Sequence, residues 1–223
     1  MKGQIKSLLI AAAVTSLLAG LLLTLVQQLQ IIPILEQAEQ IEAQRHHDHD
    51  ETEHEHIWMP QQGMERHAFT ALSNVLLALG FTLILAAAVQ LTRRKLDWRQ
   101  GLLWGLAGYA VFFLAPAFGM TPDLPGMDSA DLEQRQLWWM MTSACTGLAL
   151  ALLVFKRSWM FRLAGLMVLA LPHLIGAPQQ SADANIPMDL LQAFLIASLI
   201  VNALFWLFLG GFYGYFHNKL VHQ

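Results

Sequence analysis

The chain is poor in charge and nearly without cysteine. Only 13% of its 223 residues are Asp, Glu, Lys or Arg, while 56% are hydrophobic. Soluble domains carry about 25% charged and roughly 45–50% apolar residues. The shortage of charge excludes a disordered chain, and the grouping of apolar residues into long blocks argues against a soluble globule. A formal net charge of −3 points away from a nucleic-acid partner. One cysteine, Cys145, is too few for a disulfide framework or a Cys-rich metal site. A Walker A lysine loop, a dinucleotide fingerprint and a His-Glu-x-x-His pair are all missing, so no motif indicates nucleotide-driven chemistry or zinc proteolysis.

What the sequence has is runs long enough to cross a bilayer, which takes roughly 20 apolar residues. Six qualify: Ser7–Val26, Phe69–Leu91, Gly101–Gly119, Leu137–Phe155, Leu163–Ala177 and Leu190–Phe216. The fifth is the shortest and contains Pro172, and without it the count is five. Charge decides for six. Lys2, Lys6, Arg93, Arg94, Lys95, Arg99, Lys156, Arg157, Arg162 and Lys219 then share one side with a single acid, Asp97. Arg45, Arg66, Arg135 and every other acid share the opposite side. Basic loops stay in the cytoplasm, so both termini are expected inside. The first run is too long for a secretory signal and no Ala-x-Ala site closes it, so an uncleaved anchor is expected. The expected fold is an all-α, polytopic bundle of six transmembrane helices in the bacterial inner membrane. Residues 1–26 form the first helix, 27–66 a periplasmic loop and 67–223 a five-helix membrane domain.

That loop holds the strongest chemical signal. Ile34, Leu35, Ala38 and Ile41 recur at helical spacing after Pro33, predicting a short amphipathic helix over 34–44. A tract from His46 to His56 follows, with five histidines (His46, His47, His49, His54, His56) among Asp48, Asp50, Glu51, Glu53 and Glu55. Imidazole and carboxylate are the ligand set of divalent first-row metals, and such tracts bind metal. A flexible tract follows the Irving–Williams order, preferring copper, nickel and zinc to cobalt. It collects ions at the membrane face and leaves selectivity to other residues. A solvated acidic loop with incidental histidines is the plainer alternative.

Three further residues are candidate metal ligands. His173 is the only ionisable group expected well inside a span, about 15 Å from Leu163 at 1.5 Å per residue. Intramembrane ionisable groups are functional candidates by default, and Pro172 beside it frees backbone carbonyls. The alternative is a neutral histidine hydrogen-bonded to a neighbouring helix. Asp123 lies in the Pro/Gly-rich segment Ala115–Asp128, whose backbone cannot be helical throughout and suits a pore mouth. His67 opens the second span beside Glu65 and Arg66. Trp138, Trp139 and Trp159 read as interface anchors. Gly101-x-x-x-Gly105 and Gly210-x-x-x-Gly214 read as faces for close helix packing.

Taken in order, Gly63-Met64-Glu65-Arg66, Ala115-Pro116-Ala117-Phe118-Gly119, Pro122-Asp123-Leu124-Pro125-Gly126, Arg135-Gln136-Leu137-Trp138-Trp139, Pro172-His173-Leu174-Ile175-Gly176-Ala177-Pro178 and Asn202-Ala203-Leu204-Phe205-Trp206 resemble the CbtA family. Its members are bacterial membrane proteins regarded as cobalt transporter subunits. The resemblance implies cobalt uptake, a link to cobalamin synthesis and a small one-span partner subunit, CbtB. It carries over no ligand set, and the His/acid tract is longer than the family pattern requires.

The expectation is therefore a metal permease subunit rather than an enzyme, embedded in the lipid bilayer. Its substrate is a divalent ion, cobalt first, then nickel, zinc or copper. Ions gathered by the tract would pass Asp123 and His67 to a dehydrating site near His173. A membrane metal sensor or chaperone, and a haem protein ligated by His67 and His173, are the competing readings.

Overall fold

A backbone placed in hydrocarbon finds hydrogen-bond partners only within itself, and a long apolar segment meets that demand as a helix. A computed structural model describes residues 2–46, 60, 63–92, 96–127, 129–178 and 186–221. Among these residues the chain forms helices and no strand: α1 (Lys2–Gln30), α2 (Ile32–His46), α3 (Met64–Thr92), α4 (Trp98–Gly119), α5 (Leu132–Phe155), α6 (Trp159–Ile175) and α7 (Met188–Val221). Five of them, α1, α3, α4, α5 and α7, are long and apolar enough to cross a membrane. The expected sixth, α6, is apolar but only 17 residues long. That is about 25 Å at 1.5 Å per residue, short of a hydrocarbon core about 30 Å thick. It continues through Pro172 and stops at Gly176, whose φ of 94° suits a residue without a Cβ. Many large apolar side chains face outward, Leu72, Leu76, Leu103, Met167 and Leu174 among them, as expected where the solvent is lipid.

The chain divides into two compact units, Met1–Leu106 with Ile200–Gln223, and Ala107–Leu199. In the first, α1 and α3 pack along their length through small residues. Ala11, Ala12, Ala19 and Ala78 are buried, and a Cβ on Gly20 would meet the backbone of Val75. Hydroxyls on these helices turn back on their own turns: Ser16 Oγ donates to the Ala12 carbonyl, Thr24 to Gly20, Thr70 to Arg66 and Thr82 to Ala78. The two glycine motifs anticipated from sequence meet each other. A Cβ on Gly101 would strike the carbonyl oxygen of Gly210, and one on Gly105 the carbonyl of Trp206. The backbones of α4 and α7 touch where lipid gives no hydrophobic drive and packing alone must hold helices. Pro33 sits in the first turn of α2, where a missing N–H costs nothing.

In the second unit α5 packs against α6, with Gly165 set against the Ala149 carbonyl, and against the far half of α4. That half is irregular. Residues Ala110–Leu114 form a π-helical turn, after which the helix resumes at Ala115–Gly119 with Pro116 buried. The cause is legible in the chemistry. Proline brings no N–H to the carbonyl four residues back, and its ring crowds that carbonyl. The carbonyl concerned is Phe112's, and it accepts instead from the indole Nε1 of Trp139 at 3.1 Å. Ala115 N reaches five residues back to Ala110. The segment Ala115–Asp128, expected not to be helical throughout, is helical as far as Gly119 and irregular beyond it.

Two outcomes test this packing by unfolding in detergent. Gly210→Val should cost about 1–3 kcal/mol or more, because its side chain must displace backbone. Gly80→Ala, whose Cβ would meet nothing within 4 Å, should be neutral or stabilise by up to about 1 kcal/mol. For the π turn, Trp139→Phe should cost roughly 1–3 kcal/mol by orphaning the Phe112 carbonyl. In a Pro116→Ala background the restored N–H takes that carbonyl, so the penalty should fall by at least about half. Equal penalties in the two backgrounds would sever the proline from the indole.

Candidate metal-handling site

At the start of α3, Arg66 and Glu39 form a two-pronged ion pair, with Nη2 to Oε1 at 2.7 Å and Nη1 to Oε2 at 3.2 Å. The pair is partly exposed and is worth no more than about 1 kcal/mol, but its fork geometry pins α2 against α3. The charge partner of Arg66 is thus Glu39, on another helix, rather than its neighbour Glu65. His67, next along, is exposed, and its Nδ1 lies 2.6 Å from the amide nitrogen of Gln28 on α1. A deeper bridge backs this contact. Asn74 Nδ2 donates to Gln27 Oε1 at 2.6 Å and to Thr24 Oγ1 at 3.0 Å. The three contacts fix the tops of α1 and α3 and hold the imidazole at the surface. Amide nitrogen and oxygen are assigned from such networks, and the two choices have opposite chemistry. An amide N–H toward Nδ1 leaves the ring proton on Nε2. The oxygen toward Nδ1–H frees Nε2 as a metal donor.

Asp123 lies beyond α4 in the segment that turns at Pro125–Gly126, where Gly126 has φ 79°. Its Oδ2 takes Arg135 Nη2 at 3.1 Å and the Ser129 hydroxyl at 2.7 Å. The carboxylate already holds a guanidinium, which an arriving cation would have to displace. Asp131 caps α5, accepting from the backbone N–H groups of Glu133 and Gln134, and so aims Arg135 at the loop. His173 sits in the last full turn of α6, exposed, nearer the helix end than the count from Leu163 placed it. Its ring meets Trp138 edge-on, with centroids 5.8 Å apart. The same indole fills the space a side chain at Gly119 would take. Trp138 is therefore a buried strut, 3% exposed, and Trp139 a donor to α4, whereas Trp159 is 72% exposed in keeping with an interface anchor.

Among the described residues no three His, Cys, Asp or Glu side chains converge to hold a metal. His46 closes α2; its side chain, and His47, His49, His54 and His56, lie outside the described residues. Reasoning from sequence passed over two features. Tyr213 and His217 are buried on α7, at 0% and 4% exposure, with rings 5.6 Å apart. On α5, Thr142, Ser143 and Thr146 are buried and their hydroxyls have no hydrogen-bond partner among the described residues. The spacing of Thr142 and Thr146 signals a shared face in the sequence, but their failure to turn back on the helix is visible only in three dimensions.

Long apolar helices with polar groups gathered at their ends define a multi-pass membrane protein of helical type. Comparison with protein families makes this specific. Residues 5–218, nearly the whole chain, match the family described as "Probable cobalt transporter subunit (CbtA)". The chain belongs to that family. No curated protein and no solved structure matches it.

Proposed function

We propose that the chain is the multi-pass subunit of an inner-membrane importer of cobalt, working with a small one-span partner of the CbtB kind and feeding cobalamin synthesis. The observation that carries this reading is the family match over residues 5–218 on a chain with five long apolar helices. The word subunit in the family's description supports a partner. The charge distribution supports six spans, α6 included, with both termini cytoplasmic and residues 27–66 in the periplasm. In that orientation the His46–His56 tract and His67, Asp123 and His173 share the periplasmic side.

The tract raises the local concentration of a scarce ion, and the ion passes to sites of lower ligand density. Asp123 exchanges its guanidinium partner for the cation. His67 and His173 offer one imidazole each, enough to guide an ion and too few to trap it. A membrane potential, negative inside, drives a cation inward by about 2.3 kcal/mol per charge per 100 mV, so inward movement needs no nucleotide site on this chain. The family is one of transporter subunits, and the residues gathered here bind and release rather than catalyse.

Metal content of cells expressing the chain with its partner, compared across cobalt, nickel, zinc and copper, tests the reading. Cobalt should accumulate above the empty-vector level. Binding without accumulation would identify a sensor or chaperone, and preference for another metal would change the cargo. Replacing His46, His47, His49, His54 and His56 together should lower uptake at scarce metal and leave it near normal at saturation. Complete loss at saturation would make the tract part of the path. A reporter fused after Gln223 should read cytoplasmic and one inserted at Gln180 periplasmic; an external C-terminus would reduce the count to five spans.

A further inference from the structure

One face of α5 is polar from its first turn to its middle. At 100° per residue, Arg135, Trp138, Thr142, Thr146 and Ala149 fall within about 80° of one another, and Ser143 lies about 60° beyond Thr146. The first four span about 16 Å along the helix. Five polar atoms on or beside this face are buried with no hydrogen-bond partner among the described residues: Trp138 Nε1, Thr142 Oγ1, Ser143 Oγ, Thr146 Oγ1 and the Nε of Arg135, whose side chain is itself half-buried. Exposure is 3% for Trp138, 0% for Thr142, 5% for Ser143 and 3% for Thr146. A helical Thr or Ser ordinarily satisfies itself on the carbonyl four residues back, as Ser16, Thr24, Thr70 and Thr82 do in this chain. Thr15 on α1 shares the unpartnered state, but α5 strings three such hydroxyls along one side. Lipid supplies no partner, and a buried hydroxyl left unmade costs free energy. Water satisfies such groups wherever they line a polar gap.

Resting on the transport reading above, we propose that this face of α5 lines a water-bearing passage for a partly hydrated divalent cation, entered at the Asp123–Arg135 pair. Hydroxyl oxygens replace part of an ion's hydration shell without binding it as tightly as imidazole or carboxylate, so a ladder of them passes the ion on. The Asp123 carboxylate at the head of the stripe exchanges Arg135 for the incoming cation. The indole of Trp138, wedged between Gly119 and His173, narrows the entrance. The passage is thus walled by oxygen donors on α5, and the histidines serve its approach.

Because Cys145 is the sole cysteine, a Cys145→Ala background allows thiols to be placed singly. Cysteines at Thr142, Thr146 and, as a lipid-facing control, Leu148 (52% exposed) would be treated in membranes with a small water-soluble cationic methanethiosulfonate. Those at Thr142 and Thr146 should react at least about tenfold faster than that at Leu148, and excess cobalt chloride should slow them. The double variant Thr142→Val, Thr146→Val should insert at the normal level yet lose about tenfold in cobalt uptake, the effect of one lost hydrogen-bond-sized contact at the barrier. The milder Thr142→Ser should retain uptake. Reaction no faster than at Leu148, or normal uptake by the double valine variant, would overturn the passage. Fast reaction protected by nickel or zinc but not cobalt would uphold it while refuting cobalt as cargo.

Discussion

Everything in this protein follows from a solvent that makes no hydrogen bonds. Lipid cannot satisfy a stray carbonyl, so each break in helical regularity must be answered by a named group. Pro116 shows the rule. It withholds an N–H from Phe112, the turn widens to a π form, and the indole of Trp139 reaches across from α5 to take the released carbonyl. A sequence-local defect becomes a bond between two helices. Pro172, close to the end of α6, needs less, because the helix finishes at Gly176 within a turn.

The same solvent changes what holds helices together. With no gain in moving leucine from lipid to protein, close contact falls to small residues and to polar bridges. The glycines of α4 and α7 meet backbone to backbone, and Asn74 ties α3 to two side chains of α1. Large apolar side chains are left facing outward. Polar groups survive inside where they bridge helices, as Ser16 and Thr82 do, and the unpartnered hydroxyls of α5 stand out against that background.

Two charges near the candidate site are already engaged. Arg66 is held by Glu39 and Asp123 by Arg135, so neither carboxylate is a bare cation trap. The proposed permeation entrance would gain from this arrangement. A free carboxylate beside the membrane would hold a divalent ion too long, whereas one that must trade a guanidinium for the ion binds weakly and releases readily. The imidazoles of His67 and His173 are displayed at the surface on polar and aromatic supports.

Sequence alone determined the helical class, the positions of the long apolar helices to within a few residues, the helix after Pro33 and the two glycine motifs as packing faces. These depend on composition and on periods of three to four residues, which one strand of text carries in full. It also carried the family, through short motifs spread over the chain. Only tertiary structure decided that Arg66 answers Glu39 and not Glu65, that Asp123 is paired with Arg135, that Trp138 is a buried strut, that the two glycine motifs meet each other, and that the hydroxyls of α5 lack partners among the described residues. Each of these is a contact, or a missing contact, between groups separated in the chain. Helical periodicity says which face a side chain occupies, but not what stands opposite it.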